Sequence, residues 1–546
     1  VFGTLPAVLM PIAVAIASIL NTFTLVWILT YVTNVSIIVQ FLIALVGLGV
    51  AIDYALLMIF RFRDELREGE DVETALVQMM THAGRSVIVS GSTVAVGLLS
   101  MIVLPLPFIR SIGIGGMLIP AVSVVAAITL LPALLASLGT RINSIRVLPR
   151  RFVDSGHPED GLWGRWARLV MRRPVPLAAI GLIVVGLLVY SGVQLNPSEA
   201  QVKDLPGSGD AIQGRQALVD AGISLGVMKP FVILVQGYDN GSTVGGGVLA
   251  DVTKALATTP GIEGAAAPPA WHSGEYALVE AFPDVDGSSK AARPIISELK
   301  RDVLPTIQAT FDNQSTTGVG SENVQLSLGG VAPEERDFVS AVYSNFPYVL
   351  AFVLLFTLIL LTRAFKSIVL ALKAAILNLI SLGAAYGIIV FIFQKGHGSE
   401  AIWNVQATQS IIPWIPLMIF AFLFGLSMDY EVFMLTRMRE AYDETGDTRH
   451  AVSLGLARTG KLVTSAALVL MFAFFVLSSS PGVDIKQFGI GLAAGIIFDA
   501  TVIRALLVPS LMRLLGKWNW YLPGFAARIL FVRHSAPPAA PVPEAA

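Results

Sequence analysis

The sequence predicts an α-helical polytopic membrane protein made of two parallel repeats, with one extracytoplasmic α+β domain of ferredoxin-like order. Three observations predict it. Mean hydropathy is +0.72 and only 14% of residues are charged, against about 25% in soluble domains. The apolar residues gather in about ten runs, each near or above the ~20 residues that cross a bilayer as a helix. Two of those runs carry one pattern: Gly49-Val50-Ala51-Ile52-Asp53-Tyr54 and Gly425-Leu426-Ser427-Met428-Asp429-Tyr430. The net charge of −1 gives no basis for binding nucleic acid. With no cysteine there is neither a disulfide framework nor thiol chemistry, and six scattered histidines lack metal-ligand spacing.

The spans fall at about 5–29, 36–60, 86–106, 112–138, 174–193, 346–362, 367–394, 411–436, 461–480 and 486–514. Arginine distribution sets their orientation. Segment 61–85 carries Arg61, Arg63, Arg67 and Arg85, segment 139–173 eight arginines, and segment 437–461 Arg437, Arg439, Arg449 and Arg458. The alternate short loops hold only Arg110, Lys395 and Lys486, so the arginine-rich segments face the cytoplasm. The chain therefore divides into a first transmembrane repeat (1–140), a cytoplasmic linker (141–173), a helix (174–193), an exterior domain (194–345), a second repeat (346–516) and a cytoplasmic tail (517–546). The tail is expected to be disordered beyond Ser535, where Pro and Ala dominate.

The exterior segment holds nine Lys/Arg against eighteen Asp/Glu. Its periodicity predicts strand (230–236), helix (246–258), strand (261–266), strand (276–282), helix (289–304) and strand (316–320), the β-α-β-β-α-β order of a ferredoxin-like unit. Gly245-Gly246-Gly247 opens its first helix as a turn, since no Lys-Ser/Thr follows to make a phosphate cradle.

Residues 45–139 repeat as 420–516. An offset of 429 − 53 = 376 aligns Asp53 with Asp429, Tyr54 with Tyr430, Arg61 with Arg437, Gly84 with Gly460, Gly113 with Gly489 and Gly115 with Gly491. One inserted residue later, Pro132 matches Pro509 and Gly139 matches Gly516. Both copies run the same way, as parallel repeats do. In the second half, Phe365-Lys366-Ser367 follows a helix, a soluble domain and a helix, whereas Phe2-Gly3-Thr4 has nothing before it. The intact protein is accordingly expected to have twelve helices and two exterior domains.

An ionised Asp within a span costs about 3 kcal/mol or more, so the duplicated acids point to function. Asp53 lies eight residues before Arg61, and Asp429 eight before Arg437. At ~1.5 Å per residue both acids sit ~12 Å inside a ~30 Å core. Adjacent helix residues diverge by ~100°, so neither Tyr serves the Asp beside it. The pseudo-two-fold instead pairs Asp53 with Tyr430 and Asp429 with Tyr54. Gly49 and Gly425, one turn earlier, would let these two helices approach. Carboxyl–phenol pairs across the repeats suit a proton relay that biases rocking between halves. Glu431 and Asp499 are further acids within spans, and Arg504 is either the countercharge of Asp499 or snorkels inward. Ser90 and Ser465 could donate to the acids or hold a water. Phe420, Phe422, Phe424 and Phe433 are expected to pack the core.

At these residues the chain resembles the MMPL family (mycobacterial membrane protein, large) of the resistance-nodulation-division superfamily. The resemblance covers essentially 1–516 and is carried by GVAIDYALLMIFRFRDE, FGLSMDYEVFMLTRMREAYDETGD and FDATVIRALLVPSLMRLLG. It implies export of lipids or hydrophobic metabolites across the actinobacterial inner membrane, driven by the proton gradient with no other cofactor. It also implies that the exterior domain is a porter domain. Asp53, Tyr54, Asp429 and Tyr430 match the family's relay positions. Glu431, Asp499, Arg504 and Ser90 match supporting polar positions, and Phe433 matches an aromatic of the pocket where inhibitors sit. The implied partners are the bilayer and a lipid or hydrophobic small molecule, with room for a homo-oligomer or accessory envelope proteins. A short tail departs from the long-tailed lipid-flippase branch. Two other readings compete. An intramembrane aspartyl protease is disfavoured because neither Asp53 nor Asp429 closes a Gly-x-Gly-Asp signature, the one such run, Gly207-Ser208-Gly209-Asp210, lying outside the spans. A lipid-sensing or scaffold protein that keeps the fold without pumping would not need its paired acids.

Overall fold

The structure, a computed structural model, describes residues 3–145, 161–199, 201, 210–237, 243–316 and 324–530, the side chains of 211, 243–246, 313–316 and 429 excepted. Among the described residues, ten helices are long and apolar enough to span a membrane. In chain order they are α1 (Leu5–Leu29), α2 (Ile38–Glu68), α3 (Val72–Val103), α4 (Pro107–Asn143), then, beyond the short α5 (Leu162–Arg172), α6 (Pro174–Val193). After the α/β domain with its α7 (Asp210–Asp220), α8 (Thr243–Ala257) and α9 (beginning at Ala292) come α10 (Val331–Phe365), α11 (Ile368–Gln394), α12 (Trp414–Thr445), α13 (Thr448–Ser479) and α14 (Val483–Trp520). This is a multi-pass membrane protein. The helix α10 begins well before the apolar run at 346–362, because Glu334, Glu335, Arg336 and Asp337 form polar turns that hydropathy does not register.

Two compact units divide the chain: Val1–Gln194, Ser344–Ile389 and Trp414–Ala546 form the first, Leu195–Tyr343 and Val390–Pro413 the second. Within the first, α1–α4 and α11–α14 repeat one arrangement, and equivalent atoms make equivalent contacts. Thr4 donates its hydroxyl to the Ile142 carbonyl (2.9 Å), and Ser367 donates to the Asn519 carbonyl (2.6 Å). Gly113 packs so that a Cβ would lie 2.9 Å from the Leu98 carbonyl; at Gly489 the equivalent distance to the Phe474 carbonyl is 2.8 Å. Gly139 and Gly516 end their helices at φ 50° and 53°, a conformation that favours glycine.

The repeats meet through two equivalent seams, α3 against α12 and α2 against α13. A Cβ on Gly425 would lie 2.8 Å from the Val94 Cα, and one on Gly49 2.4 Å from a Leu470 methyl. Val94 and Leu470 are themselves related by the 376-residue offset (94 + 376 = 470). The two glycines therefore do not bring α2 and α12 together, as the sequence suggested. Each admits the helix that follows the Asp-Tyr helix in the other repeat. Small residues do the same where α6 meets α11: a Cβ on Gly387 would fall 1.9 Å from the Leu188 carbonyl.

The single inserted residue of the second repeat has a structural counterpart. Helix α4 stays α-helical from Pro107 to Leu138, whereas α14 widens into a π-helical stretch over Asp499–Leu507. A π-helical widening is how a helix accommodates an extra residue without breaking. It lies between Gly491 and Pro509, where the alignment slips by one.

In the second unit, strands β1 (Phe231–Gln236), β2 (Ile262–Ala266), β3 (His272–Ser273), β4 (Tyr276–Pro283) and β5 (Gln325–Gly329) form an antiparallel sheet ordered β2-β4-β1-β5, with β3 hairpinned onto β4. That is the ferredoxin-like order. Phe231, Ile233 and Val235 alternate inward from β1 and pack with Ala277, Val279 and Ala281 of β4 beneath Val252 and Leu256 of α8. The last strand is not at 316–320. The helical spacing of Leu304, Ile307 and Phe311 carries α9 on to Thr316, overriding the β-branched Thr316; 317–320 lie outside the described residues. The strand starts instead at Gln325, where Gln308 of α9 accepts from the Leu326 N–H (3.0 Å). Segment 390–413 joins this unit by edge pairing, the Ile411 N–H donating to the Asn196 carbonyl (2.9 Å) and the Ser198 N–H to the Ile411 carbonyl (3.0 Å).

The seam glycines are directly testable. Gly425→Ala drives a methyl into the α3 backbone and is expected to cost about 1–3 kcal/mol. Gly186→Ala, with open space at its Cβ, should be neutral or stabilising by about 0.5–1 kcal/mol. Thermal unfolding of both variants in detergent checks the contrast.

Candidate functional site

Four helices place polar groups at one depth of the first unit. From α2, the Asp53 carboxyl interacts with Tyr430 of α12 and with Arg504 of α14. This contact crosses from one repeat to the other. Tyr54 is buried and points to α3, its hydroxyl 3.3 Å from where a Gly91 Cβ would stand. The pairing expected between Tyr54 and Asp429 lies outside the described residues, since the Asp429 side chain is not among them.

Arg504 organises the other side of the site. It is 2% exposed and forms an ion pair with Asp499. It also donates to the Ser427 carbonyl and to the Ser427 hydroxyl (3.1 Å), and its guanidinium carbon stands 4.8 Å from the centre of the Tyr430 ring. The choice left open by the sequence is thereby made: Arg504 is the countercharge of Asp499 and does not snorkel. Ser427 and Ser381 line the same side of Asp499. The π-helical register of α14 puts Asp499 and Arg504 on one side, five residues apart, where an α-helix would separate them by more than a turn.

Asp499, Arg504, Tyr430 and Asp53 thus form one polar connection from α14 through α12 to α2. Beside it, Asn378, Ser381, Ser427, Tyr430 and Asp499 line a cavity of about 10 Å³, roughly the space that one water needs. A carboxyl beside a phenol in a low-dielectric bundle can take up or release a proton, and each state demands a different hydrogen-bond pattern. The adjacent guanidinium makes that change felt at α14.

The remaining sequence candidates fall around this core. Glu431 is buried, within electrostatic reach of Lys373, Arg504 and Asp499. Lys373, on α11, is 8% exposed and its ammonium has no hydrogen-bond partner among the described residues. Sequence analysis passed over it, although a lysine within the apolar run 367–394 is the same signal that drew attention to the acids. Ser381, Ser427 and Asn378 also went unnoticed, because a hydroxyl or amide within a span is too common to stand out. Ser90 is buried, its hydroxyl without a hydrogen-bond partner among the described residues. Ser465 instead donates to the Lys461 carbonyl of its own helix (2.7 Å). Phe433 lies apart from the polar cluster, its ring 5.9 Å from the Arg437 guanidinium. Phe420, Phe422 and Phe424 are fully buried, and Phe420 packs edge-on against Phe346 (5.2 Å between centroids). At the helix ends beyond the site, Arg61 pairs with Glu65 (2.5 Å) and its repeat equivalent Arg437 with Glu440 (2.9 Å).

Comparison with known proteins gives a consistent pattern. The sequence profile of the MMPL family matches residues 1–177 and 298–536. The putative membrane protein SCO6666 of Streptomyces coelicolor is 36% identical over 562 residues, covering 100% of this chain and 72% of its own length. In Mycolicibacterium smegmatis, the mycolic acid-containing lipids exporter MmpL11 is 31% identical over 536 residues, and the trehalose monomycolate exporter MmpL3 is 30% identical over 556. Each covers 97% of this chain, which in turn spans 54% of either mycobacterial protein.

The buried ion pair gives a stability prediction. Arg504→Met leaves Asp499 buried beside no cation and is expected to cost about 3–5 kcal/mol, whereas removing both charges in Asp499→Asn/Arg504→Met should recover most of that loss. Thermal unfolding of the single and double variants measures the coupling.

Proposed function

The chain belongs to the MMPL family, and from that premise we propose that it exports lipids or other hydrophobic molecules across the inner membrane at the expense of the proton gradient. One observation carries the proposal: a carboxyl and a phenol, Asp53 and Tyr430, interact inside the spans and belong to opposite repeats. Protonating Asp53 removes the charge that Tyr430 and Arg504 face. The interaction joining α2 to α12 is then remade in the neutral form, and the balance between the two seams shifts. Deprotonation towards the other side of the membrane restores it. Arg504, held by Asp499 and Ser427, keeps a positive charge next to the shuttling carboxyl. Asp429 and Tyr54 are the second pair of this relay, with Glu431 and Ser90 in support and Phe433 on the side where a hydrophobic cargo would bear. The exterior-type domain is a porter that receives the cargo outside the cytoplasm. Lipid cargo is supported by the two mycobacterial relatives, whose names specify mycolic acid-containing lipids and trehalose monomycolate.

The test uses the full-length gene product in liposomes with an internal pH dye, an imposed proton gradient and trehalose monomycolate as the probe lipid. Lipid-stimulated proton entry is expected for the natural protein. Asp53→Asn should abolish it, and Tyr430→Phe should slow it by about 10²-fold, the scale on which a positioned proton-transfer partner acts. Proton entry indifferent to both substitutions would replace this reading with that of a non-pumping lipid-sensing or scaffold protein.

A further inference from the structure

Helix α5 lies far from the Asp-Tyr centre in sequence, yet it touches the helix that carries Arg504. Its sequence, Leu-Trp-Gly-Arg-Trp-Ala-Arg-Leu-Val-Met-Arg, is strongly amphipathic: Gly164, Ala167, Val170 and Met171 are buried, and Arg165 and Arg172 are exposed. Two tryptophans fix it. Trp163 lies flat over Gly460 of α13, so close that a Cβ there would meet the ring at 2.3 Å. Trp166 donates its indole N–H to the Ala505 carbonyl at 2.7 Å, inside the π-helical stretch and next to Arg504.

The Ala505 carbonyl lacks its α-helical donor for a reason written in the sequence. In an α-helix its partner would be the N–H four residues on, at position 509, and that residue is Pro509, which has none. An indole N–H is a donor only, and when buried it finds an acceptor. We propose that Trp166 is a positioning residue: by holding the Ala505 carbonyl that Pro509 leaves without its α-helical donor, it fixes the π-helical register that aims Arg504 at Asp499, Ser427 and Tyr430. The first repeat has the matching Pro132 but keeps its helix α-helical, and has apolar Ala127 and Ile128 where Arg504 would align. The device therefore belongs to one repeat only. For its consequence in transport the proposal rests on the relay reading above; its geometry is tested without transport.

The full-length protein in lipid nanodiscs is treated with a hydrophobic carbodiimide at pH 7, and modification of Asp499 is measured by peptide mass spectrometry. Hydrogen exchange of the amides in 499–507 is followed in parallel. Trp166→Phe keeps the apolar body and removes the N–H. With the Arg504 guanidinium displaced, Asp499 is expected to be modified about tenfold faster, the factor that one charge-assisted hydrogen bond is worth, and the 499–507 amides should exchange faster. Pro509→Ala is the second route. It offers the Ala505 carbonyl an intrahelical N–H in competition with Trp166, and should raise Asp499 modification in the same direction. If Trp166→Phe does not fold, Pro509→Ala alone decides. Unchanged Asp499 modification and unchanged exchange in the variant that folds overturn the proposal. Absence of lipid-stimulated proton entry in the natural protein would instead overturn the relay reading and leave this result standing.

Discussion

A positive charge inside a helical bundle dictates how its neighbours are arranged. The Arg504 guanidinium is a donor-only group, so the protein must answer it with groups that are themselves buried: the Asp499 carboxylate, the Ser427 carbonyl and hydroxyl, and the face of Tyr430. Burying one member of such a set without the others costs several kcal/mol, while the complete set is close to neutral. It therefore contributes position more than stability. Ser427 and Tyr430 are on α12, and Tyr430 continues to Asp53 on α2. A single cation thus ties the last helix to the Asp-Tyr helices of both repeats.

Much of the fold was legible in the sequence, because the signals that set it are periodic and local. Apolar runs of bilayer length gave the ten spans, and a constant offset gave the repeat. The Asp53–Tyr430 contact followed from the two-fold alone, since neighbouring residues on one helix cannot meet. What escaped depended on which surface met which. Gly49 and Gly425 announce close approach but not the partner, and the partners are α13 and α3. Thr316 favours a strand by propensity, yet it sits in a helix whose Leu304, Ile307 and Phe311 are buried against the sheet. Lys373 was hidden because its flexible stem is ordinarily read as reaching for the membrane surface; its burial beside Glu431 is a tertiary fact. Trp166 meets Ala505 across 339 residues, beyond any window on the sequence.

The reciprocal contacts constrain how the halves can move. Gly425 on Val94 and Gly49 on Leu470 are the same contact made twice, so a rotation about the pseudo-two-fold shears both seams alike. Close-packed backbones slide more readily than they separate, because separation opens a void along the whole helix. The interaction of Tyr430 with Asp53 joins α12 to α2, which belong to opposite halves and each find their main packing partners elsewhere. A contact in that place senses relative displacement of the halves without being their principal glue.

The symmetry is broken at one place, and the break determines what the two acids can do. Before the inserted residue, Asp499 aligns with Ser123 (499 − 376 = 123), a buried serine, and the Arg504 position aligns with Ala127 or Ile128. The first repeat therefore has the scaffold of the site without its charges. Two carboxyls related by an exact two-fold would titrate as equals, and a cycle built on them would have no preferred order. One guanidinium fixed on the second repeat's last helix, beside Tyr430, removes that equality: the phenol that interacts with Asp53 lies under Arg504, and the aligned positions of the first repeat hold Ala127 and Ile128. The inserted residue and its π-helical stretch are thus the local change by which a duplicated scaffold acquires two different sites, and a proton passing through unlike sites can be given a direction.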